Sequence, residues 1–142
     1  MIGKLALGSA QWGLDYGISN SYGKSSLHDI RGIIKLARKY SVDVIDTAQD
    51  YGNAEKSISQ VGAESFRIVS KFSLKNIKRH LTIEEAVAQL ALKSLNELRT
   101  SKIYGLLVHD VDFLLGLGNA AVFVNALKRL KQLQFVEKIG VS

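Results

Sequence analysis

The 142-residue sequence has no cysteine and no proline. Without cysteine the chain forms no disulfide and offers no thiol for catalysis or metal binding, which fits a reducing compartment. The apolar run near the N-terminus, within residues 1–8, is too short for a signal peptide or a membrane-spanning helix. We therefore expect a cytoplasmic protein with no membrane partner. The lack of proline has no physical explanation that we can offer.

Signatures of metal and nucleic-acid binding are also missing. The three histidines, His28, His80 and His109, fall in separate predicted elements, so their spacing suits no metal site. The net charge of +6 would suit a nucleic acid. However, no aromatic residues interleave with the basic ones as stacking platforms, and most basic residues fall on the polar faces of predicted helices. We expect no metal and no nucleic-acid partner, and the surplus positive charge would equally attract an anionic cofactor.

Short apolar runs alternate with longer amphipathic segments along the chain, which is typical of parallel βα units. With 46% hydrophobic and 23% charged residues, the sequence predicts one soluble globular domain over residues 1–142. The predicted strands cover residues 5–8, 42–46, 66–72, 103–108 and 138–141. Because these strands are almost continuously apolar, we expect them to be buried on both faces, as in a parallel sheet covered by helices.

Four helices are predicted between these strands. The first follows a serine N-cap at Ser25 or Ser26, the second covers residues 54–61, and the third begins at a capping box of Thr82 and Glu85. The predicted inner faces are Ile30, Ile33, Ile34 and Ala37 in the first helix, Val87, Leu90, Ala91, Leu95 and Leu98 in the third, and Phe123, Leu127, Leu130 and Leu133 in the last.

About four and a half βα units suit two architectures. One is an open, doubly wound sheet, and the other is a truncated (β/α)8 TIM barrel, since a whole barrel needs about 250 residues. Residues 8–13 lack the glycine spacing that a dinucleotide-binding fold places after its first strand. Asp46, Lys71 and His109 lie at the carboxyl ends of successive predicted strands, where barrel enzymes keep their chemistry. The truncated barrel is therefore favoured.

Four polar residues could form a proton-donating site for carbonyl reduction: Asp46, Tyr51, Lys71 and His109. An isolated tyrosine hydroxyl is too weak an acid at neutral pH, and a lysine ammonium beside it stabilises the phenolate. A buried lysine in turn needs a carboxylate to stay charged. These requirements give Tyr51 the role of proton donor, Lys71 that of its activator and Asp46 that of the lysine's partner. His109 would orient the substrate carbonyl or assist the proton transfer.

Each of these residues also has a structural alternative. Tyr51 could be a surface residue on a loop, Asp46 a strand-end turn or helix cap, and His109 a structural histidine. Lys71 could extend its ammonium outward to solvent from the strand end. The joint interpretation rests on the predicted convergence of all four residues at one mouth.

The chain resembles the N-terminal half of an aldo-keto reductase. Residues 46–52 (DTAQDYG) are similar to the Asp-Thr-Ala-x-x-Tyr-Gly segment of that family, and Lys71 and His109 match its two remaining catalytic positions. Residues 7–13 (LGSAQWG) resemble the first-strand segment that borders the nicotinamide, and residues 138–142 (KIGVS) resemble the fifth-strand motif. The resemblance covers essentially the whole chain.

The resemblance implies an NADPH-dependent reductase of an aldehyde or ketone on a (β/α)8 barrel. It implies cofactor contacts at Gly8, Ser9, Ala10, Asp46 and Ser142. In that family an asparagine and strands six to eight would follow the position of Ser142 and complete the cofactor site. We therefore expect a fragment that is inactive alone.

The expected substrate is a small carbonyl compound. Trp12, Tyr16, Tyr22 and residues 110–115 are candidates for lining the mouth of its site, although aromatic residues on a loop are more often packing residues. Two other functions remain open. A half barrel exposes strand edges and part of its apolar interior, so two copies could associate. Alternatively, the chain could be a non-catalytic binding module that kept the fold.

Overall fold

A computed structural model describes residues 5–63, 65–76, 80–110 and 120–142. Its elements alternate along the chain, and their bounds are as follows: β1 Leu7–Gly8, α1 Ala10–Gly13, α2 Leu27–Lys39, β2 Val44–Asp46, α3 Ala54–Gln60, β3 Arg67–Phe72, a 3₁₀ turn at Leu74–Asn76, α4 Ile83–Leu98, β4 Ile103–Val108, α5 Ala120–Gln132 and β5 Val136–Val141. No helix in these ranges is long and apolar enough to cross a membrane.

The strands form one parallel sheet in the order β1-β2-β3-β4-β5. This order follows the chain without the reversal that a doubly wound sheet has at its switch point, so the favoured barrel architecture is the one observed. Because every strand runs the same way, all five carboxyl ends meet at one edge of the sheet. Asp46 lies beside Val69 there, and Lys71 lies beside Leu107.

Two capping boxes start the longer helices as the sequence predicted. Ser26 caps α2 with Asp29, and Thr82 caps α4 with Glu85; in each box both reciprocal hydrogen bonds are present. The Ser26 hydroxyl hydrogen bond lowers the pKa of Asp29, and the bond from the Thr82 backbone lowers that of Glu85. The caps supply partners for backbone N–H groups that a helix start leaves unpaired.

The core lies between the sheet and the helices, and most of the predicted inner faces are correct. All five residues predicted for α4 are buried. Two other predictions were wrong. Ile33 is exposed because the buried stripe of α2 runs through Ile30, Ile34 and Ala37, and Ile33 lies at its margin. Leu133 is exposed because α5 ends at Gln132, which leaves Leu133 in the turn before β5.

The predicted strand bounds were right for β4 and only approximate elsewhere. β1 and β2 are shorter than predicted, whereas β5 begins two residues earlier, at Val136. Burial on both faces also fails for β5, where Glu137, Lys138 and Val141 are exposed. The reason is position: β5 is an edge strand of the described sheet, so it has a neighbour on one side.

Candidate active site

The four predicted catalytic residues lie at the carboxyl edge of the sheet. Asp46 ends β2, Lys71 is the penultimate residue of β3, and His109 directly follows β4. The His109 backbone N–H donates to the Phe72 carbonyl oxygen at 3.0 Å, which extends the pairing of β3 and β4 beyond the strand end. The sheet therefore fixes the backbone positions from which these side chains project.

Asp46 and Lys71 form a close ion pair. The Lys71 Nζ lies 2.6 Å from the Asp46 Oδ2 and 3.1 Å from the Thr47 carbonyl oxygen. The Lys71 side chain is 7% exposed and the Asp46 side chain 41% exposed. The ammonium therefore does not extend to solvent, and it has the carboxylate partner that a buried cation requires.

Tyr51 packs against both the lysine and the histidine. The Lys71 Nζ lies 5.2 Å from the centroid of the Tyr51 ring, within range of a cation–π interaction. The Tyr51 and His109 rings meet edge to face, with centroids 6.2 Å apart and an interplanar angle of 81°. The structure thus brings all four predicted residues together, as their positions at successive strand ends indicated.

The segment that carries Tyr51 continues along β3 after β2 has ended. The Thr47 backbone N–H donates to the Val69 carbonyl oxygen at 2.8 Å, and the Gln49 N–H donates to the Lys71 carbonyl oxygen at 2.9 Å. These alternating bonds attach the chain to β3 up to two residues before Tyr51. The backbone of Lys71 is thereby tied directly to the segment that presents the tyrosine.

A close glycine contact holds the other side of the Tyr51 turn. A Cβ added to Gly13 would lie 1.6 Å from the Tyr51 carbonyl oxygen and 2.6 Å from the Ala54 nitrogen. Gly52 has a φ of +58°, and a Cβ there would lie 2.4 Å from the Gly13 carbonyl oxygen. Only glycine fits this approach of the α1 end to the Tyr51 turn.

Acidic residues surround His109. Its Nδ1 lies 3.8 Å from the Asp50 Oδ2, too long for a hydrogen bond but close enough for attraction if the imidazole is protonated. Asp110 accepts a hydrogen bond from the Ser73 hydroxyl and pairs with the Lys75 ammonium at 3.1 Å. The Ser73 bond is the main cause of the lowered pKa of Asp110. Of the predicted mouth segment 110–115, residues 111–115 lie outside the described residues.

The residues predicted to contact a cofactor lie at two places on the same edge. Gly8 ends β1, and a Cβ there would meet nothing within 4 Å, so its Cα borders open space. Ser9 is fully buried, and its backbone N–H donates to the Asp46 carbonyl oxygen at 2.9 Å. Ala10 begins α1, and Ser142 directly follows β5, where its N–H donates to the Val108 carbonyl oxygen at 2.9 Å.

The aromatic residues proposed for the substrate mouth differ in their surroundings. Trp12 is 3% exposed and belongs to the hydrophobic core, where its carbonyl oxygen accepts a hydrogen bond from the Ser57 hydroxyl. The burial of Trp12 favours a packing role for its indole ring, and its place at the substrate mouth stays a prediction. Tyr16 and Tyr22 are exposed on the segment between α1 and α2.

Buried polar residues behind the site were missed by the sequence argument. Gln49, Glu55, Ser70 and Ser94 are all buried, and side-chain hydrogen bonds join Gln49 to Ser94 and Ser70 to Glu55. The signal for Ser94 was available, because it follows Val87 by seven residues and therefore shares the inner face of α4. No periodicity marks Gln49, which lies on an irregular segment.

Comparison with known proteins gives a consistent result. The model of the Aldo/keto reductase family matches residues 4–142. No curated protein sequence matches the chain. Among solved structures, a protein from Pseudomonas aeruginosa described as an aldo-keto reductase is 24% identical, with a TM-score of 0.80 over 99% of this chain and 56% of that chain.

Two further solved structures show the same fold at lower identity. An aldo-keto reductase from Bacillus halodurans in its holo form is 15% identical, with a TM-score of 0.71 over 99% of this chain and 46% of that chain. One from Klebsiella pneumoniae in complex with NADPH is 19% identical, with a TM-score of 0.68 over 96% of this chain and 44% of that chain. The chain thus spans about half the length of these proteins. Because the family match extends over nearly all of its residues, the chain belongs to the aldo/keto reductase family.

Proposed function

We propose that this chain carries the proton-donating site of an NADPH-dependent reductase of aldehydes or ketones, with Tyr51 as the proton donor. The observation that supports the proposal most strongly is the buried Lys71–Asp46 pair, 2.6 Å apart, beside the Tyr51 ring. Membership of the aldo/keto reductase family points to the same chemistry. The activity belongs to the whole reductase, of which this chain corresponds to about half by comparison with its solved relatives.

We assign each residue a distinct part in the reaction. Asp46 compensates the charge of the buried Lys71, whose ammonium has a carboxylate oxygen and a carbonyl oxygen as partners. The cation beside Tyr51 favours the phenolate that remains when the tyrosine hydroxyl gives its proton to the substrate oxygen. We propose that His109, whose ring contacts that of Tyr51, orients the substrate carbonyl or assists the proton transfer.

A nicotinamide cofactor fits the residues at the carboxyl edge. The Asp46 carboxylate is partly exposed, Gly8 borders open space, and the Ser9 and Thr47 hydroxyl oxygens are buried with no hydrogen-bond partner among the described residues. We propose that Gly8, Ser9, Ala10, Asp46 and Ser142 border this cofactor. When bound, it supplies the hydride that no side chain can supply. The NADPH complex of the Klebsiella pneumoniae protein supports this choice.

The decisive experiment replaces Tyr51 and a control tyrosine in the same protein. The chain would be assayed alone and joined to the second half of a solved relative, with NADPH and a panel of aldehydes and ketones. Tyr51→Phe should lower kcat by about 100-fold or more, since a positioned proton donor contributes that much. Tyr40→Phe, on the exposed end of α2, should leave kcat unchanged. Wild-type turnover in Tyr51→Phe would contradict the proposed role.

The edge position of β5 favours self-association as a second candidate property. Glu137, Lys138 and Val141 are exposed, and β5 pairs with β4 alone among the described strands. A strand edge presents backbone N–H and C=O groups that another strand can pair with. We propose that the 142-residue chain forms dimers at this edge, which sedimentation can test.

A further inference from the structure

We propose that Glu55, in the first turn of α3, is a positioning residue that holds the Tyr51 turn against the strand of Lys71. The inference rests on the proposed function, because it assigns a residue behind the site to the alignment of the proton donor. Glu55 is buried, although carboxyl side chains are usually exposed. A buried carboxyl group is costly unless it is hydrogen-bonded, so its partner is the informative feature.

The partner of Glu55 is Ser70, which is fully buried in β3. The Ser70 hydroxyl donates to the Glu55 Oε1 at 2.6 Å. Ser70 directly precedes Lys71 in the chain. Glu55 follows Tyr51 by four residues. Among the hydrogen bonds of the described residues, this is the one that joins α3 to β3.

The bond closes a ring of contacts between the tyrosine turn and the lysine strand. After Tyr51, its carbonyl oxygen accepts a hydrogen bond from the Ala54 N–H at 3.0 Å, and Ala54 directly precedes Glu55. Before Tyr51, the Gln49 N–H donates to the Lys71 carbonyl oxygen at 2.9 Å. The turn is therefore tied to β3 at both ends, by the backbone before the tyrosine and by the Glu55 side chain after it.

Neither of the other contacts of the turn replaces the Glu55 bond. The contact with Gly13 is one of close approach, so it limits movement of the turn toward α1 and does not hold the turn to β3. The Gln49 N–H holds only the end before the tyrosine. Without the Glu55 carboxyl, the end after the tyrosine is free to shift. A misplacement of about 1 Å between reacting groups costs about 100-fold in rate, so a small displacement of Tyr51 matters.

The test uses ring-current shifts measured by NMR on the 142-residue chain, which need no turnover. The His109 ring and the Lys71 side chain lie close to the Tyr51 ring, so their proton shifts report its position. Tyr51→Leu gives the reference values without the ring. Glu55→Met retains the length of the side chain and removes the acceptor, so it should move both shifts toward that reference. Glu55→Gln retains an acceptor oxygen and should leave both shifts near their wild-type values.

A change at the other end of the bond keeps the test decisive if Glu55→Met does not fold. Ser70→Ala removes the donor and should move the same shifts in the same direction. Because both substitutions open one bond, the double variant should move the shifts no further than the larger single effect. Ser57→Ala is the matched control, since Ser57 is a buried serine of α3 whose hydroxyl donates to the Trp12 carbonyl oxygen rather than to β3.

The outcomes separate the positioning role from the proposed function. Unchanged shifts in both Glu55→Met and Ser70→Ala would overturn the inference. Equal changes in Glu55→Gln and Glu55→Met, or in Ser57→Ala and Ser70→Ala, would overturn it as well. Shifts that move as expected while Tyr51→Phe retains full turnover would refute the proposed function and leave the positioning role of Glu55 intact.

Discussion

Gly13→Ala and Gly32→Ala make the same chemical change with opposite expected effects on stability. Gly32 lies inside α2, is exposed, and a Cβ there would meet nothing within 4 Å. Alanine at that position should stabilise the protein by up to about 1 kcal/mol through helix propensity. At Gly13 the added Cβ would lie 1.6 Å from the Tyr51 carbonyl oxygen and 2.6 Å from the Ala54 nitrogen.

Both atoms that Gly13→Ala would meet belong to the backbone, so no side-chain rotation can relieve the contact. Overpacking of a tight site costs about 1–3 kcal/mol and occasionally more. Because these contacts are so short, the cost of Gly13→Ala should reach the upper end of that range or exceed it. The two variants should therefore differ in unfolding free energy by about 3–4 kcal/mol. Urea unfolding followed by circular dichroism measures that difference. Equal stability of Gly13→Ala and Gly32→Ala would contradict the close approach of α1 to the Tyr51 turn.

Three further predictions concern pH, capping and assembly. Burial is the main cause of the raised pKa of the Glu55 carboxyl. Because the folded state then holds this proton more tightly than the unfolded state, the stability of the fold is highest below the ordinary pKa of 4.5 and falls as the pH rises through the raised pKa. Glu55→Gln stays neutral and should gain stability relative to the wild type as the pH rises above 4.5, and a difference that does not change with pH would contradict this. Thr82→Ala removes the N-cap of α4 and should cost about 1 kcal/mol in thermal unfolding, whereas no loss would show that the cap is unimportant. Sedimentation should show concentration-dependent dimers of the 142-residue chain, and a monomer at all concentrations would refute pairing at β5.

The sequence predicted those parts of the fold that depend on local signals. The start of α4 was correct because Thr82 and Glu85 form their capping box within four residues of chain. β4 was correct because its residues are mostly apolar and the residues that flank it, Lys102 and His109, are polar. The limits of β1 and β5 depend instead on pairing with neighbouring strands, and pairing leaves no local mark in the sequence.

In the candidate site, too, features with a local signal were predicted, whereas features that depend on contacts between distant residues were not. Asp46, Tyr51, Lys71 and His109 were found because each follows a recognisable strand or motif, and parallel strands bring their ends together. For Trp12 the sequence left open whether the ring lines a mouth or packs in the protein, because its burial depends on contacts with residues distant in sequence. The hydrogen bond between Gln49 and Ser94 was missed because it joins residues 45 positions apart, which meet only in the folded chain.

The central claim is that the buried lysine supports the proton donor, and replacing that lysine tests it most directly. The measurement is kcat for NADPH-dependent carbonyl reduction by Lys71→Met in the chain joined to the second half of a solved relative. Lys35→Met, on the exposed face of α2, is the control. We expect a loss of about 100-fold or more for Lys71→Met and wild-type turnover for the control. Equal turnover in both variants, with Lys71→Met still folded, would contradict a role of Lys71 in proton donation by Tyr51.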